Sequence, residues 1–481
     1  MKNGFSILCF IGVFLVAAGN GATAADNHHD LASLFTGAGG DIWGASPVDF
    51  FSAVNLQGTP PSFDWTSQTE KNRARYPAWQ NSPEITLLGF PLYHAVAHFE
   101  DNGLQKLECS FYNKGDAEVQ KDQNSGVIYS QDVFVSRLKK YAGRVDAWVG
   151  KKGENLDPRR LTTSGAKMMR RVWIKKPYLI EMRWAFTEDR NTNGPDFLGE
   201  YINIVFSRYT REKDPTIAHV SSVHDRYKGW AQDKDRSGNI KTNFQGDKYI
   251  DGIPMVDQGE KGYCVVAALE RIMRYYGADI DQHALAQLGK SSGRQGTIME
   301  QMIDTLEKAD TKLGIYVDVE YNIGEDIRDY ERLVRKYNRT AKRLDKPEIE
   351  DEQWVIQHDR GRTYVVPKLI SLLNPEVYKK TRNEYFETDS AGFKRILKKE
   401  IAAGRPILWG VWLGIFAEPG IRLQGGSMGH ARLIIGYNAK KDQLLYSDTW
   451  GRGHELKRMP FDEAWAITTF LTTITPRRRQ Y

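Results

Sequence analysis

The sequence predicts an α+β chain in two parts. A β-rich α+β domain fills the N-terminal half, and a domain follows in which helices come first and antiparallel strands afterwards. Three observations carry this. In 201–209, Ile202, Ile204 and Phe206 alternate with Tyr201, Asn203 and Ser207, the period of two of a half-buried strand. In 264–276, Val265, Ala268, Leu269, Ile272, Met273 and Tyr276 recur at helical spacing, and Gly277 stands where a C-terminal cap belongs. Beyond Gly404 the chain turns to short apolar runs at 406–413, 431–437 and 443–447, so strands follow helices.

Residues 1–24 have the pattern of a signal peptide. Lys2 is followed by an apolar run over 5–18, and Ala22-Thr23-Ala24 forms a small-residue cleavage site ahead of Ala25. The run is short for a membrane span, and Cys9 lies inside it, which argues against a lipid anchor. The expectation is cleavage after Ala24 and a secreted or periplasmic protein. No later stretch has 18 consecutive apolar residues, so no transmembrane span is expected in the mature chain.

Residues 25–82 contain Gly37-Ala38-Gly39-Gly40 and Thr59-Pro60-Pro61 and read as an extended or loosely packed lead-in. The accessory domain is placed at 83–211. It has a hairpin of 85–99 and 104–112 around Asp101-Asn102-Gly103, strands at 172–186 and 201–209, and a helix at 131–147. Residues 212–247 read as a linker. Within it Asp233-Lys234-Asp235-Arg236-Ser237-Gly238 begins like a calcium loop, but the twelfth position is Phe244 where a bidentate Glu is required, so a polar turn is expected. The second domain is placed at 248–481. It adds a helix at 297–309, a charged, helix-rich insertion at about 324–390, a helix at 393–403 closed by Gly404, a strand at 466–475 and the basic tail Arg477-Arg478-Arg479. No internal repeat or low-complexity tract interrupts it.

The chain has 481 residues, 41% hydrophobic and 27% charged, values of ordinary globular protein. Its net charge of +6 is spread along most of the chain. Residues 137–176 are more basic, with Lys139-Lys140, Lys151-Lys152, Arg159-Arg160, Arg170-Arg171 and Lys175-Lys176. A solvated surface is the plain reading. An anionic partner for the N-terminal domain, such as nucleic acid, lipid or wall polymer, is the alternative, and no specific nucleic acid is expected. After cleavage Cys109 and Cys264 remain. Two cysteines make no disulfide scaffold, so stability must come from buried cores.

Gln258-Gly259-Glu260-Lys261-Gly262-Tyr263-Cys264 runs straight into the amphipathic helix. A thiol attacks a carbonyl as thiolate, and both a helix N-terminus and a nearby imidazolium favour that charge. His430, in Gly429-His430-Ala431, is the candidate imidazole and general acid. Asp448, in Ser447-Asp448-Thr449-Trp450-Gly451, ends a strand that can return beside His430 and orient its ring. Trp450 is placed to shield that hydrogen bond. The Cys264 N–H and the Gln258 amide are candidate oxyanion donors. Taken singly, each residue has a bland reading: a buried structural cysteine, a surface histidine, a capping aspartate. Their combination and order favour a nucleophilic site.

Other signals are weaker. His94, His98 and Glu100 have metal-like spacing but no third ligand pattern, and sheet-face histidines are expected. His283, near Asp281, lacks the following strand and carboxylate. His454 falls in a loop after Trp450, and Cys109 reads as a small core residue. No metal or cofactor is expected.

Gln258, Cys264, Gly429-His430-Ala431 with Ile434-Ile435-Gly436-Tyr437, and Ser447-Asp448-Thr449-Trp450-Gly451 resemble the papain-like cysteine peptidase superfamily. Within it, 264–269, Tyr275-Tyr276-Gly277, Leu285-Ala286 and Gly404-Arg405-Pro406 look most like the bacterial bacteriocin-processing, double-glycine peptidase-like group. The resemblance covers about 249–475. It implies a helical lobe and an antiparallel β lobe, with Cys264 as nucleophile, His430 as base, Asp448 as orienting carboxylate and Gln258 as oxyanion donor. The surroundings of Cys264 differ from papain proper, and no transporter segment is present, so leader-peptide cleavage does not carry over. The expected function is a secreted cysteine peptidase that cleaves a protein or peptide substrate through a thioester. An acyltransferase or amidase of the same mechanism, or a non-catalytic binding module on the same scaffold, are the alternatives.

Overall fold

In the computed structural model the described residues run from 29 to 477, apart from 36–41, 56, 80, 102, 120–125, 161–166, 189–195, 212–234, 279, 324–326, 359–360, 386–389, 420 and 422–427. The signal-peptide segment 1–24, Gly37–Gly40, Asn102, most of the linker and Arg478-Arg479 therefore lie outside the described residues. The chain is α+β.

The alternation at 201–209 belongs to the strand Phe197–Arg208, which sits inside an eight-stranded antiparallel sheet. The strand order is Asp64–Trp65, Arg73–Tyr76, His94–Glu100, Gly103–Asn113, Phe197–Arg208, Tyr178–Glu188, Lys167–Lys175, Glu154–Arg160. The helix Gln131–Val149 buries Phe134, Ala142 and Val145 against it. Ser130 caps its first turn through the Val133 N–H, and Gly150 ends it with φ of 85°. The hairpin turns at Asp101, whose φ is 49°, and Glu100 pairs with Gly103. Several of the basic residues of 137–176 are engaged locally: Arg171 pairs with Asp146 at 3.3 Å, and the Lys175 ammonium lies 4.0 Å from the Trp148 ring centroid.

Three expectations change here. The run 85–99 is not one strand but Ile85–Leu87, Phe90–Pro91 and His94–Glu100. Leu88 and Gly89 both take positive φ, a two-residue hairpin turn, and the Asp30 carboxylate accepts from both of their N–H groups at 2.9 and 2.6 Å. Likewise 172–186 is the hairpin of Lys167–Lys175 and Tyr178–Glu188. The expected loose lead-in is also well packed. Ser46 and Asp49 form a capping box for the helix Pro47–Val54, and Leu31, Phe50, Val54 and Phe63 are buried in the same core as the sheet.

In the C-terminal half the helix Cys264–Tyr275 ends in a Schellman arrangement. Ala278 N–H donates to Met273 O and Gly277 N–H to Arg274 O, both at 2.9 Å, with Gly277 at φ of 82°. Gln282–Leu288 follows, capped by Asp281, and then Met299–Leu313. The second sheet is antiparallel, in the order Ile240–Thr242, Asp247–Ile250, Met428–Asn438, Ile407–Leu413, Thr468–Pro476, Ile315–Asn322. Gln443–Ser447 branches off Met428–Asn438 and pairs in turn with Lys457–Pro460.

Both faces are buried at Ile407–Leu413, Met428–Asn438 and Gln443–Ser447, which is why these strands read as apolar runs. Leu408, Ala431, Leu433 and Leu445 pack with the cysteine helix, while Ile407, Trp409, Ile434 and Tyr446 pack with helices of the inserted segment. That segment, expected at about 324–390, supplies Ile327–Arg343, Val366–Leu372 and Pro375–Tyr385 to the face turned away from the cysteine helix. The run 466–475, expected as one strand, begins as the end of a helix, Phe461–Ile467, and becomes strand at Thr468–Pro476. The Thr468 hydroxyl donates back to Ala464 O and accepts from the Trp409 indole, which fixes the change of course.

Gly436 lies at a bulge between the histidine strand and Gln443–Ser447. A Cβ there would stand 2.4 Å from Lys248 O and 2.8 Å from Tyr249 Cα, both backbone. Gly436→Ala is expected to cost about 1–3 kcal/mol by overpacking, read as a lowered thermal midpoint. An unchanged midpoint would show that Asp247–Ile250 is free to move away.

Candidate active site

Cys264 is the first residue of its helix, and no side chain caps that N-terminus. Of the first-turn N–H groups, that of Ala267 donates to Tyr263 O and that of Val265 acts on the thiol. The preceding loop makes two tight passages. Gly259 takes φ of 72°, and a Cβ on Gly262 would stand 2.7 Å from Gly296 Cα. Gly262 N–H donates to Gly293 O at 2.7 Å.

His430 is the third residue of Met428–Asn438, opposite Val411. Ser447 pairs with Leu433, so the next residue, Asp448, arrives beside the imidazole. His430 Nε2 and Asp448 Oδ1 are 2.5 Å apart, and both side chains are buried. The Cys264 thiol lies near enough to His430 for each to shift the other's pKa. With Nε2 committed to the carboxylate, Nδ1 is the ring nitrogen left for sulfur. Trp450 stacks on the imidazole with centroids 4.3 Å apart and planes at 14°. His454 packs edge-on against Trp450, and its carbonyl accepts from Asp448 N–H at 2.9 Å.

The charges are set by competing effects. Burial pushes the Cys264 thiol up, but the His430 hydrogen bond and charge, with N–H donors from Ala431 and Val265, bring its pKa below the ordinary value. Burial pulls His430 down, yet the Asp448 carboxylate and Cys264 raise it to about 9. Burial disfavours the Asp448 anion, but His430, Arg432 and the Thr449 N–H hold it well below the usual carboxylate range. Shifts in opposite directions on Cys264 and His430 favour thiolate and imidazolium together.

Gln258 is buried, and its side chain is gripped at both ends. Its Oε1 accepts from the Thr449 hydroxyl at 2.6 Å, and its Nε2 donates to Lys261 O at 3.0 Å. Its backbone N–H donates to Thr449 O at 2.9 Å. One amide hydrogen of Nε2 remains beyond the Lys261 bond.

Two buried arginines escaped the sequence reading. Arg432 Nε lies 3.0 Å from Asp448 Oδ2, and its guanidinium forks onto Glu418 at 2.8 and 3.2 Å. Arg271, two turns along the cysteine helix, donates to Asp448 O at 2.7 Å, Ser447 Oγ at 2.6 Å and Pro254 O at 2.9 Å. It ties the Cys264 helix to the Asp448 loop. For Arg432 the one available signal was a lone cation inside the apolar run 431–437, whereas Arg271 shares its helix with Glu270 and Arg274 and gave none.

The competing residues stand elsewhere. His283 Nε2 is 3.4 Å from His94 Nε2, with the rings stacked. His94 also faces Asp116 at 3.6 Å, and His98 faces Glu108 at 3.1 Å. Cys109 is buried, with its thiol pushed up by burial, and neither cysteine is in a disulfide. Among the described residues no group of three or more His, Cys, Asp or Glu is placed to hold a metal ion.

Residues 339–473 match the Peptidase_C39 like family. The match supports a C39 papain-like cysteine peptidase family and a cysteine peptidase-type function, and it does not extend to the double-glycine group. It takes in His430, Arg432 and Asp448, whereas Gln258 and Cys264 precede it in the chain. A search of the curated proteins finds no match.

Proposed function

We propose that this protein is a secreted or periplasmic cysteine peptidase, with a papain-like helical lobe and β lobe in 248–481, that hydrolyses peptide bonds in a protein or peptide substrate. The Cys264 thiolate attacks the carbonyl carbon, and the carbonyl oxygen takes the electron pair. The Cys264 N–H and the free Gln258 Nε2 hydrogen stabilise that oxyanion. His430, held by Asp448, gives its proton to the leaving amine as the C–N bond breaks and a thioester remains. His430 then takes a proton from water, which attacks the thioester and releases the acid and the thiol. The observation that supports this most directly is the buried Asp448–His430 pair beside a thiol at a helix N-terminus. The signal-peptide pattern of 1–24 supports the location. No helix among the described residues is long and apolar enough to cross a membrane.

The test is labelling by a peptidyl electrophile, with the modified residue located by mass spectrometry. Cys264 is expected to be the residue labelled, equally in Cys109→Ser, and labelling is lost in Cys264→Ser. A folded protein whose Cys264 stays unlabelled at neutral pH is a binding module rather than a peptidase. Products formed with an added amine separate acyl transfer from hydrolysis.

A further inference from the structure

We infer that the N-terminal domain is the scaffold of the oxyanion loop, with Arg75, Asp116 and Glu118 as positioning residues for Gln258 and the Cys264 N–H. The inference rests on the peptidase reading above.

The loop 257–263 is held from outside its own domain directly at two points and through Gly293 at a third. At its start, Asp257 pairs with Arg75 on the strand Arg73–Tyr76, and Asp257 Oδ1 accepts from Gly259 N–H at 2.8 Å. At its middle, the buried Lys261 ammonium lies 2.9 Å from Asp116 Oδ1, and the Lys261 carbonyl is the group that holds Gln258 Nε2. At its end, Gly262 N–H is fixed by Gly293 O, and the Gly293 N–H and Ser292 hydroxyl donate to Glu118 Oε2. Asp116 and Glu118 share the helix Lys114–Val119, which leaves the sheet directly after Gly103–Asn113. Asp116 is itself anchored there, since Asn113 Nδ2 donates to its Oδ2 at 2.7 Å. Gly115 lets the loop close in, because a Cβ there would stand 2.5 Å from Tyr263 Cζ.

A buried ion pair such as Asp116–Lys261 is weak evidence of stability but a good device for fixing position, since either charge alone would be buried without compensation. All three anchors act on the loop, and none touches Cys264 or His430. Their loss is expected to displace the oxyanion donors while sparing the thiolate–imidazolium pair. The short helix is therefore part of the site's supporting frame and not a remote targeting module.

Two probes separate these effects in full-length Cys109→Ser protein. Iodoacetamide alkylates a thiolate by displacement at a saturated carbon and forms no oxyanion. p-Nitrophenyl acetate acylates it through one, as the thiolate adds to the ester carbonyl and p-nitrophenolate departs. Asp116→Asn, Glu118→Gln and Arg75→Met are each expected to slow acylation about tenfold to a hundredfold while alkylation stays within about twofold. If Asp116→Asn does not fold, the other two, at half-buried positions, decide the question. Unchanged acylation in the folded variants overturns the inference, and so does a parallel loss of both rates, which would mean the contacts only hold the fold. If the parent protein reacts with neither probe, the peptidase reading falls first and takes this inference with it.

Discussion

His430→Ala is expected to slow acyl transfer by roughly 10⁴-fold or more, because nucleophile activation and leaving-group protonation are lost together. Burial acts on the Cys264 thiol in the opposite direction to the imidazolium beside it. With the imidazole gone, burial is left to raise the thiol, so alkylation near pH 7 should collapse and recover only at strongly alkaline pH. The parent protein should behave differently at both ends of its pH profile. Its peptide hydrolysis should rise as the thiol, already below its ordinary value, ionises. It should fall again near pH 9, where His430 gives up the proton that the leaving amine needs. Alkylation, which needs no acid, should not fall on that side. Steady-state hydrolysis and iodoacetamide rates measured over the same pH range check this. A His430→Ala protein with unaltered alkylation at pH 7 would sink the ion pair.

The residues of the proposed chemistry stand out because each sits in a pattern that local physics writes plainly. Cys264 opens an amphipathic helix closed by Gly277, and His430 and Asp448 lie in or just after strands buried on both faces. Their supports were not readable, because their partners are distant in sequence. Glu418 reaches Arg432 from fourteen residues away, and Asp116 reaches Lys261 from 145 away. The lead-in was misread for a related reason. Its strands Asp64–Trp65 and Arg73–Tyr76 are too short to show a period, and they gain strand character only from neighbours in the sheet. The Leu88-Gly89 turn depends on Asp30, nearly sixty residues earlier. The capping box at Ser46 and Asp49 was in the sequence and marks a helix that local reasoning can find.

Arg432→Met is expected to destabilise the fold by about 3–5 kcal/mol, the usual cost of removing one partner of a buried charge cluster. Arg432 is fully buried, and its loss leaves Asp448 and Glu418 carboxylates enclosed without the cation between them. A methionine fills much of the same volume, so a cavity contributes little, and pH can tell charge from packing. In the parent protein Asp448 is held well below its usual range, after the cost of burial, by His430 and Arg432. A carboxylate depressed on folding adds stability that is present above its unfolded pKa, about 3.9, and is lost as pH falls through the folded value. The part of that stability owed to Arg432 follows the same course. The difference between Arg432→Met and the parent should be full at neutral pH and shrink below about pH 4. A packing defect would persist unchanged at low pH. Arg432→Lys keeps the charge but loses the planar fork onto Glu418 and the Nε contact with Asp448, so it should recover only part of the loss. Denaturant unfolding of the three proteins at pH 7 and below pH 4 decides the matter. Equal stability of parent and Arg432→Met at pH 7 would mean that Asp448 is held by His430 and the Thr449 N–H alone.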